Sequence, residues 1–305
     1  MNLSTDSSNR TGVTGYIGGS VFATLIQRHP EYDITVLLRN PPEDFGNLFP
    51  NVKVIKGNFD STDVISNAAA DAEVVVRKSI KSSQMRTKLT CNKDCGNSDH
   101  ENSLKAILTG LLRRNITSFL IHLSGTGILS DFKDTKDYRG RLNPKIYSDI
   151  DDIDEITSRP AGSLHRHTDE IIQEYAVKYG DKLKTAIVCP PDIYGRGYGP
   201  SRNQSVYFPT FVREIMKIGA PFYLKDGSNT RGWVHIDDLM DVYVDLVEAA
   251  VVGGGRSVTW GKDVSSRAKG YFIGSDMLLI GIFLDYITRS FTERHRRSNR
   301  ENSTC

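Results

Sequence analysis

Cysteine is scarce in this chain. The 305 residues hold four, Cys91, Cys95, Cys189 and Cys305, too few and too scattered for a disulfide framework. Neither sign of charge dominates: Lys+Arg 39 against Asp+Glu 37 leaves a formal +2. That balance argues against nucleic acid or an anionic membrane as the main partner. Long apolar runs are missing too. "MLLIGIFL" at 277–284 is the longest, far short of a bilayer span. No basic-then-apolar leader is visible, so the expectation is a reducing, cytoplasmic compartment. Hydrophobic residues make up 38%, below the globular average, which predicts some weakly packed segments.

What is present starts at residues 11–21, "TGVTGYIGGSV". Gly12, Gly15 and Gly18 form a G-x-x-G-x-x-G turn opening a helix. Glycine is needed where backbone must turn tightly and approach phosphates without a Cβ, and a helix N-terminus presents free N–H groups to the anion. The turn is thus a candidate dinucleotide cradle. The segment before it, "MNLSTDSSNR", is nothing like the apolar strand that such a turn normally follows.

Beyond the turn, apolar runs of strand length alternate with helical periodicity. A helix is predicted over 21–27, with strands at 32–40, 51–60 and 72–76. A helix follows at 104–114, a strand at 117–125, a helix at 165–180 and a strand at 183–191. Further helices are predicted at 209–219 and 237–250. This alternation argues for an α/β chain with a Rossmann-type, doubly wound parallel sheet. Residues 77–103 break the pattern, being polar, aperiodic and long for a loop. Residues 131–160 read as acidic loop, and 289–305 as a disordered tail.

The stretches "TGVTGYIGG", "VLLRNP", "GNFDS", "HLSGTGIL", "PPDIYGRG" and "RGWVHIDDLMDVYVDLVEAA" together resemble the extended short-chain dehydrogenase/reductase family of the NAD-dependent epimerase/dehydratase type. The flavour is similar to its atypical, NmrA-like branch. The resemblance covers roughly 11–76 and 104–262. It implies a Rossmann domain over 1–188, a smaller substrate-binding lobe over 189–288, and residues 228–250 packing back onto the first domain. It also implies an NAD(P) cofactor, a small-molecule substrate with a carbonyl, alcohol or sugar-nucleotide group, and a possible homodimer through a helix pair.

Carried over by position, Gly12, Thr14, Gly15, Tyr16, Ile17 and Gly18 would line the cofactor pyrophosphate. Arg39 falls near the adenosine ribose, where an arginine suits a 2′-phosphate and an acid would suit NAD. NADP is thereby slightly favoured, unless Arg39 is a solvated turn residue. Asp60 either contacts the adenine or caps the following helix. Pro190 and Asp192 would flank the nicotinamide. Tyr194, Arg231 and His235 would line the substrate cleft, with Arg231 either clamping a phosphate bidentately or forming a surface salt bridge. Ser124 matches the hydroxyl residue that holds the substrate oxygen. No metal site is expected: the C-x₃-C spacing of Cys91 and Cys95, with Asp99 and His100 nearby, is too loose for zinc.

The departures bear on mechanism. In the family a tyrosine and a lysine four residues later exchange the proton while hydride moves. This chain has 13 tyrosines, and none has a lysine at that spacing. "HRHTDE" stands there instead, with His165 at the tyrosine position and Asp169 at the lysine position. His165 either exchanges protons near neutral pH, with Asp169 orienting it, or both face solvent in an ion-pair network. The expected activity is an NAD(P)-dependent oxidoreductase or epimerase. The alternative is a nucleotide-sensing regulator without turnover. A sheet lacking its first strand predicts marginal stability, because each unpaired buried backbone group costs about 1–3 kcal/mol against a total of about 5–15 kcal/mol.

Overall fold

The computed structural model describes residues 12–77, 99–130, 138, 140–255 and 258–261, and the backbone of 271–272 and 276–279. The expectations for 1–11, for the cysteine pair Cys91–Cys95 and for the 289–305 tail lie outside these residues. Chain order begins with a single 3₁₀ turn at Gly12–Thr14 and α1 (Tyr16–Arg28), then β1 (Thr35–Leu38), α2 (Phe45–Leu48), β2 (Lys53–Lys56), α3 (Thr62–Asp71) and β3 (Val74–Arg77). It continues through α4 (Glu101–Leu112), β4 (Ser118–Leu123), α5 (Ile153–Thr157), α6 (Arg166–Tyr179), β5 (Leu183–Val188) and β6 (Asp192–Tyr194). The last elements are α7 (Tyr207–Ile218), β7 (Thr230–His235), α8 (Ile236–Val251), β8 (Tyr271–Phe272) and β9 (Asp276–Leu279).

The parallel α/β architecture is as anticipated, but the strands fall into separate ladders. β1 pairs with β2, and β3-β4-β5-β8 form a second parallel sheet. Among the described residues no ladder joins β1 to β3, the place where a doubly wound sheet puts the strand that leads into the glycine turn. A third sheet, β6-β7-β9, is mixed, with β9 antiparallel to β7.

Helix α1 spans the two parallel sheets. Val21 and Leu25 pack in one core with Phe119, Ile121 and the apolar face of α8. Phe22, one position along, packs with Val36 and Leu38 of β1 and with Phe45 of α2. The far face of the larger sheet is covered by α3, α4 and α6 through Ile65, Leu104, Leu108, Leu120 and Ile172. Alternation along the strands assigns the sides. Val74, Val76, Ile121, Leu123 and Val188 face α1 and α8, whereas Val75, Leu120, Ile187 and Cys189 face α4 and α6.

One expectation is corrected. Residues 131–160 are not all loop, because Ile153 and Ile156, one helical turn apart, bury against the α4–α6 core and make 153–157 helical. Two short apolar residues in an acidic stretch were too weak a periodicity to reveal it. The predicted stop at Gly180 holds as a C-cap, but in a right-handed conformation rather than the left-handed one that glycine usually supplies.

Helices α3 and α4 approach most closely at Gly110, where a Cβ would collide with the Ser66 carbonyl oxygen and fall 2.7 Å from Ala69 Cβ. The obstacle is helix backbone, which cannot move aside without repacking the pair. Gly110→Ala is expected to lose about 1–3 kcal/mol of stability, read as a lower denaturant midpoint at unchanged slope.

Candidate active site

The glycine turn has the features an anion seat requires. Gly12 has φ +52°, and a built Cβ there meets no atom within 4 Å. The Gly15 amide donates to the Gly12 carbonyl at 3.1 Å, closing the turn. Gly15 is the N-cap of α1 and brings no side chain of its own to the first amides of the helix. Thr14 and Gly18 are buried, and Ile17 packs against the core. Tyr16 points away from the turn: its hydroxyl donates to the carbonyl oxygens of Tyr194 and Gly195, at 3.1 and 2.9 Å. Burial pushes that phenol well above its ordinary range, with Asp237 adding to the effect. Tyr16 therefore acts as a strut between the turn and the segment after β6.

That segment closes over α1. The Cα of Gly199 lies 2.5 Å from where a Cβ on Gly19 would stand, the Tyr198 amide donates to Ser20 Oγ at 3.0 Å, and the Arg202 amide donates to the Thr14 carbonyl at 3.2 Å. Beside it is a cavity of about 260 Å³ lined by Ser201, Arg202, Asn203, Ser205, Thr210 and Arg213, among others. The two arginines make it a candidate anion site that the sequence analysis did not single out. Arg39 sits half-buried just after β1. Asp60 does not cap α3, whose N-cap is Ser61. It pairs instead with His100 Nε2 at 3.2 Å and is otherwise exposed.

At the opposite edge of the site the sequence-predicted trio comes together differently from expectation. His165 is the N-cap of α6 in a left-handed conformation, φ 64°. Its Nδ1 bonds Asp99 Oδ1 at 3.0 Å, and its Nε2 lies 3.2 Å from a Cβ built on Gly125. Asp99, not Asp169, is thus the carboxylate that orients the imidazole. Asp169 does not face solvent either. It is completely buried and accepts a 2.8 Å hydrogen bond from Ser124 Oγ through Oδ2. The reason lies in α6, where Asp169, Ile172 and Ala176 recur on its buried stripe.

Two further buried residues complete the arrangement. His122 of β4 lies with Nε2 3.7 Å from Asp169 Oδ1, and its Nδ1 meets Arg77 Nη1 at 2.9 Å. Arg77 also donates to the His100 carbonyl at 2.8 Å. Burial pushes the Asp169 carboxyl up to about 7, partly offset by Ser124 and His165. Burial, with Arg77 and His165 adding to it, holds His122 well below its ordinary range. Arg77, lowered by burial to about 10, remains a cation at neutral pH.

Arg231, in β7, is not a free phosphate clamp. Its Nε donates to Asp192 Oδ2 at 2.5 Å, and its guanidinium lies 4.1 Å from the Tyr207 ring centroid. Asp192 is accordingly engaged with Arg231. Tyr194 and His235 pack edge to face at 5.0 Å, and His235 Nδ1 accepts the Asp237 amide at 3.3 Å as the N-cap of α8. Pro190 presents its carbonyl to the Thr126 amide at 3.1 Å, tying the end of β5 to the turn after β4. Among the described residues no group of three or more His, Cys, Asp or Glu could hold a metal ion. None of the described helices is long and apolar enough to cross a membrane.

Comparison with known proteins bears on the fold and the family. The oxidase ucsJ of an Acremonium species is 28% identical over 271 residues, covering 86% of this chain and 72% of its own length. The dTDP-glucose 4,6-dehydratase of Mycobacterium tuberculosis is 21% identical over 237 residues; 75% of this chain is matched, and it spans 64% of the dehydratase, just under two thirds. Among solved structures, the Streptomyces venezuelae dTDP-glucose 4,6-dehydratase DesIV with NAD and TYD bound superposes with a TM-score of 0.58 at 18% identity, over 92% of this chain and 80% of that one. The Thermotoga maritima UDP-glucose 4-epimerase with UDP-glucose gives 0.54 at 14% identity, over 90% and 79%. The model of the NAD dependent epimerase/dehydratase family matches residues 11–259, and the chain belongs to that family.

Proposed function

We propose that this protein is an NAD(P)-dependent oxidoreductase or epimerase acting on a carbonyl or alcohol, in which His165 takes the proton-exchanging place of tyrosine. The observation that carries the reading is the His165–Asp99 pair. An imidazole fixed through Nδ1 by a carboxylate has Nε2 directed toward Gly125, at the C-terminal edge of the sheet where ligands bind in such folds. In support, the turn Gly12, Gly15 and Gly18 with the uncapped N-terminus of α1 suits a dinucleotide pyrophosphate. A bound nicotinamide would supply hydride transfer. The chain's own residues would seat the pyrophosphate on α1, hold the substrate oxygen near Ser124, and hold or give a proton at His165 Nε2.

Several finer points belong to the same reading. Arg39 favours NADP over NAD, with Asp60 and His100 forming the far wall of the adenosine site. Tyr194, Arg231 and His235 line the substrate side, with Arg202 and Arg213 receiving an anionic end of a sugar-nucleotide-like substrate. The division at residue 188 into a cofactor domain and a substrate lobe, a homodimer and a cytoplasmic location are parts of it as well. The missing Tyr-x-x-x-Lys pair favours a second reading, an NmrA-like sensor that binds the dinucleotide without turnover.

Two measurements check these points. Thermal unfolding with millimolar NAD, NADH, NADP or NADPH is expected to show a midpoint raised by mass action, most strongly by the phosphorylated pair, with Arg39→Ala erasing that preference. Equal shifts from all four would remove Arg39 from cofactor choice. Loss of nicotinamide absorbance with a carbonyl panel is expected to fall about 10²-fold or more in His165→Ala, with cofactor binding retained. Binding without any turnover in the parent chain would select the sensor.

A further inference from the structure

In this site a buried carboxylate stands where the family resemblance calls for a lysine. The cation has not vanished. Arg77, on the neighbouring strand β3, lies beneath the site, and His122 joins it to Asp169.

Hydrogen-bonding logic fixes the direction of that link. A guanidinium only donates, so His122 Nδ1 must accept from Arg77 Nη1. The ring is kept neutral by burial and by Arg77, so its one proton is on Nε2. That N–H faces Asp169 Oδ1 across 3.7 Å, and neither atom has another hydrogen-bond partner. A few tenths of an ångström of closure would complete the bond. Asp169 Oδ2 already accepts from Ser124 Oγ at 2.8 Å. The result is one directed chain, Arg77 to His122 to Asp169 to Ser124, running from the buried face of the sheet to its C-terminal edge.

We propose that Asp169 is a second proton store of this site, reached from the substrate oxygen through Ser124 beside the route at His165 Nε2, and that Arg77 and His122 are the positioning residues that let a buried carboxylate do so. In the oxidising direction the substrate O–H breaks and a new O–H forms on Ser124 Oγ. The original Ser124 O–H breaks as a proton joins Asp169 Oδ2. The balancing hydride is the chemistry that a nicotinamide supplies. Reduction returns the proton along the same path. With Asp169 ionised its charge balances Arg77; with Asp169 protonated its O–H can donate to Ser124 Oγ, turning the serine hydroxyl toward a ligand.

Other groups also face Asp169. His165 and Arg166 at the start of α6 favour its ionised form, Asp99 opposes it, and the buried thiol of Cys189 after β5 lies against the same pocket. The sign of the pH effect follows. A carboxyl that titrates near 7 in the fold and near 3.9 unfolded binds its proton preferentially in the native state, so its penalty is full above about pH 7 and fades as pH falls. His122 acts oppositely below its ordinary range. The stability of the parent chain relative to Asp169→Asn therefore rises from about pH 8 to about pH 5.

The role in turnover rests on the oxidoreductase reading, but the direct test needs no turnover. Infrared titration of the full chain without cofactor, from about pH 5 to about 9, should show a protonated-carboxyl carbonyl band with a midpoint near 7, absent in Asp169→Asn. His122→Leu and Arg77→Met should each raise the midpoint by on the order of one pH unit, because burial then acts without the compensating link. His122→Gln, which keeps an acceptor and a donor, should restore it. No such band, or a midpoint unmoved in both disrupting variants, would overturn the proposal. If His122→Leu and Arg77→Met do not fold, Arg77→Gln, which keeps a donor but removes the charge, replaces them, and an unmoved midpoint there counts equally against it. Where turnover is present, its pH profile should follow the same midpoint and move with these variants; a profile that ignores them would sink the catalytic role. Failure to bind any nicotinamide with the band intact would remove the oxidoreductase reading and leave the buried chain standing.

Discussion

The packing of α1 is the constraint on which the rest depends. One face of this helix holds Val21 and Leu25 against β4 and α8, and the next position, Phe22, holds β1 and α2. Two ladders that no strand pairing joins among the described residues are thereby linked by one helix that belongs to both cores. The same helix carries the glycine turn at its N-terminus, and Tyr16 and Ser20 tie it to the 194–199 segment. Helix position, sheet alignment and closure of the candidate cofactor seat are therefore not independent.

The chemistry of the site is organised by parity in the parallel sheet. Successive residues alternate faces, so Val75 and Arg77 share a side, as do Leu120, His122 and Ser124. β3 and β4 pair with Arg77 opposite His122, and α6 closes over that side with Asp169. A cation, a neutral imidazole and a carboxylate thus meet where the core would otherwise be apolar. Burying a lone charge costs far more than burying a compensated set. Arg77 is compensated by Asp99 and then by Asp169, while Asp169 is held by Ser124 and by the charges of His165 and Arg166.

Much of this was legible in the sequence, and the failures have physical causes. The strands β1 to β5 and the helices α1, α4, α6, α7 and α8 follow from apolar runs and periodicity, since burial on one face imposes those patterns. β6 is three residues long, β7 is mostly half-buried, and α5 has only Ile153 and Ile156 to mark its buried side, so they leave little pattern. Ser124, His165 and Asp169 were singled out by position, but the partners they take in the fold were not, because Asp99 lies at the edge of a polar stretch with no periodic signal. His122 and Arg77 did carry a signal. Each continues the core parity of its strand, two residues after Leu120 and Val75, where an apolar residue is the rule. A polar residue at such a position, beside the C-terminal edge of a parallel sheet, needs a partner in the core. Asp169, on the same stripe of α6 as Ile172 and Ala176, carried it too.

The β6-β7-β9 sheet shows why residue type alone does not assign a role. Arg231 stands where a phosphate clamp was expected, but its charge is matched by Asp192 and its flat face covers Tyr207. A phosphate arriving there would have to displace a carboxylate already in place at 2.5 Å, and it would bring like charge against Asp192. Arg202 and Arg213, lining the cavity next to the glycine turn, lie in surroundings otherwise dominated by neutral hydroxyls and amides. The proposed recognition of an anion therefore fits better beside the turn than in the β6–β7 sheet. In that sheet the Arg231–Asp192 pair acts as a brace between β6 and β7, the strand that enters α8.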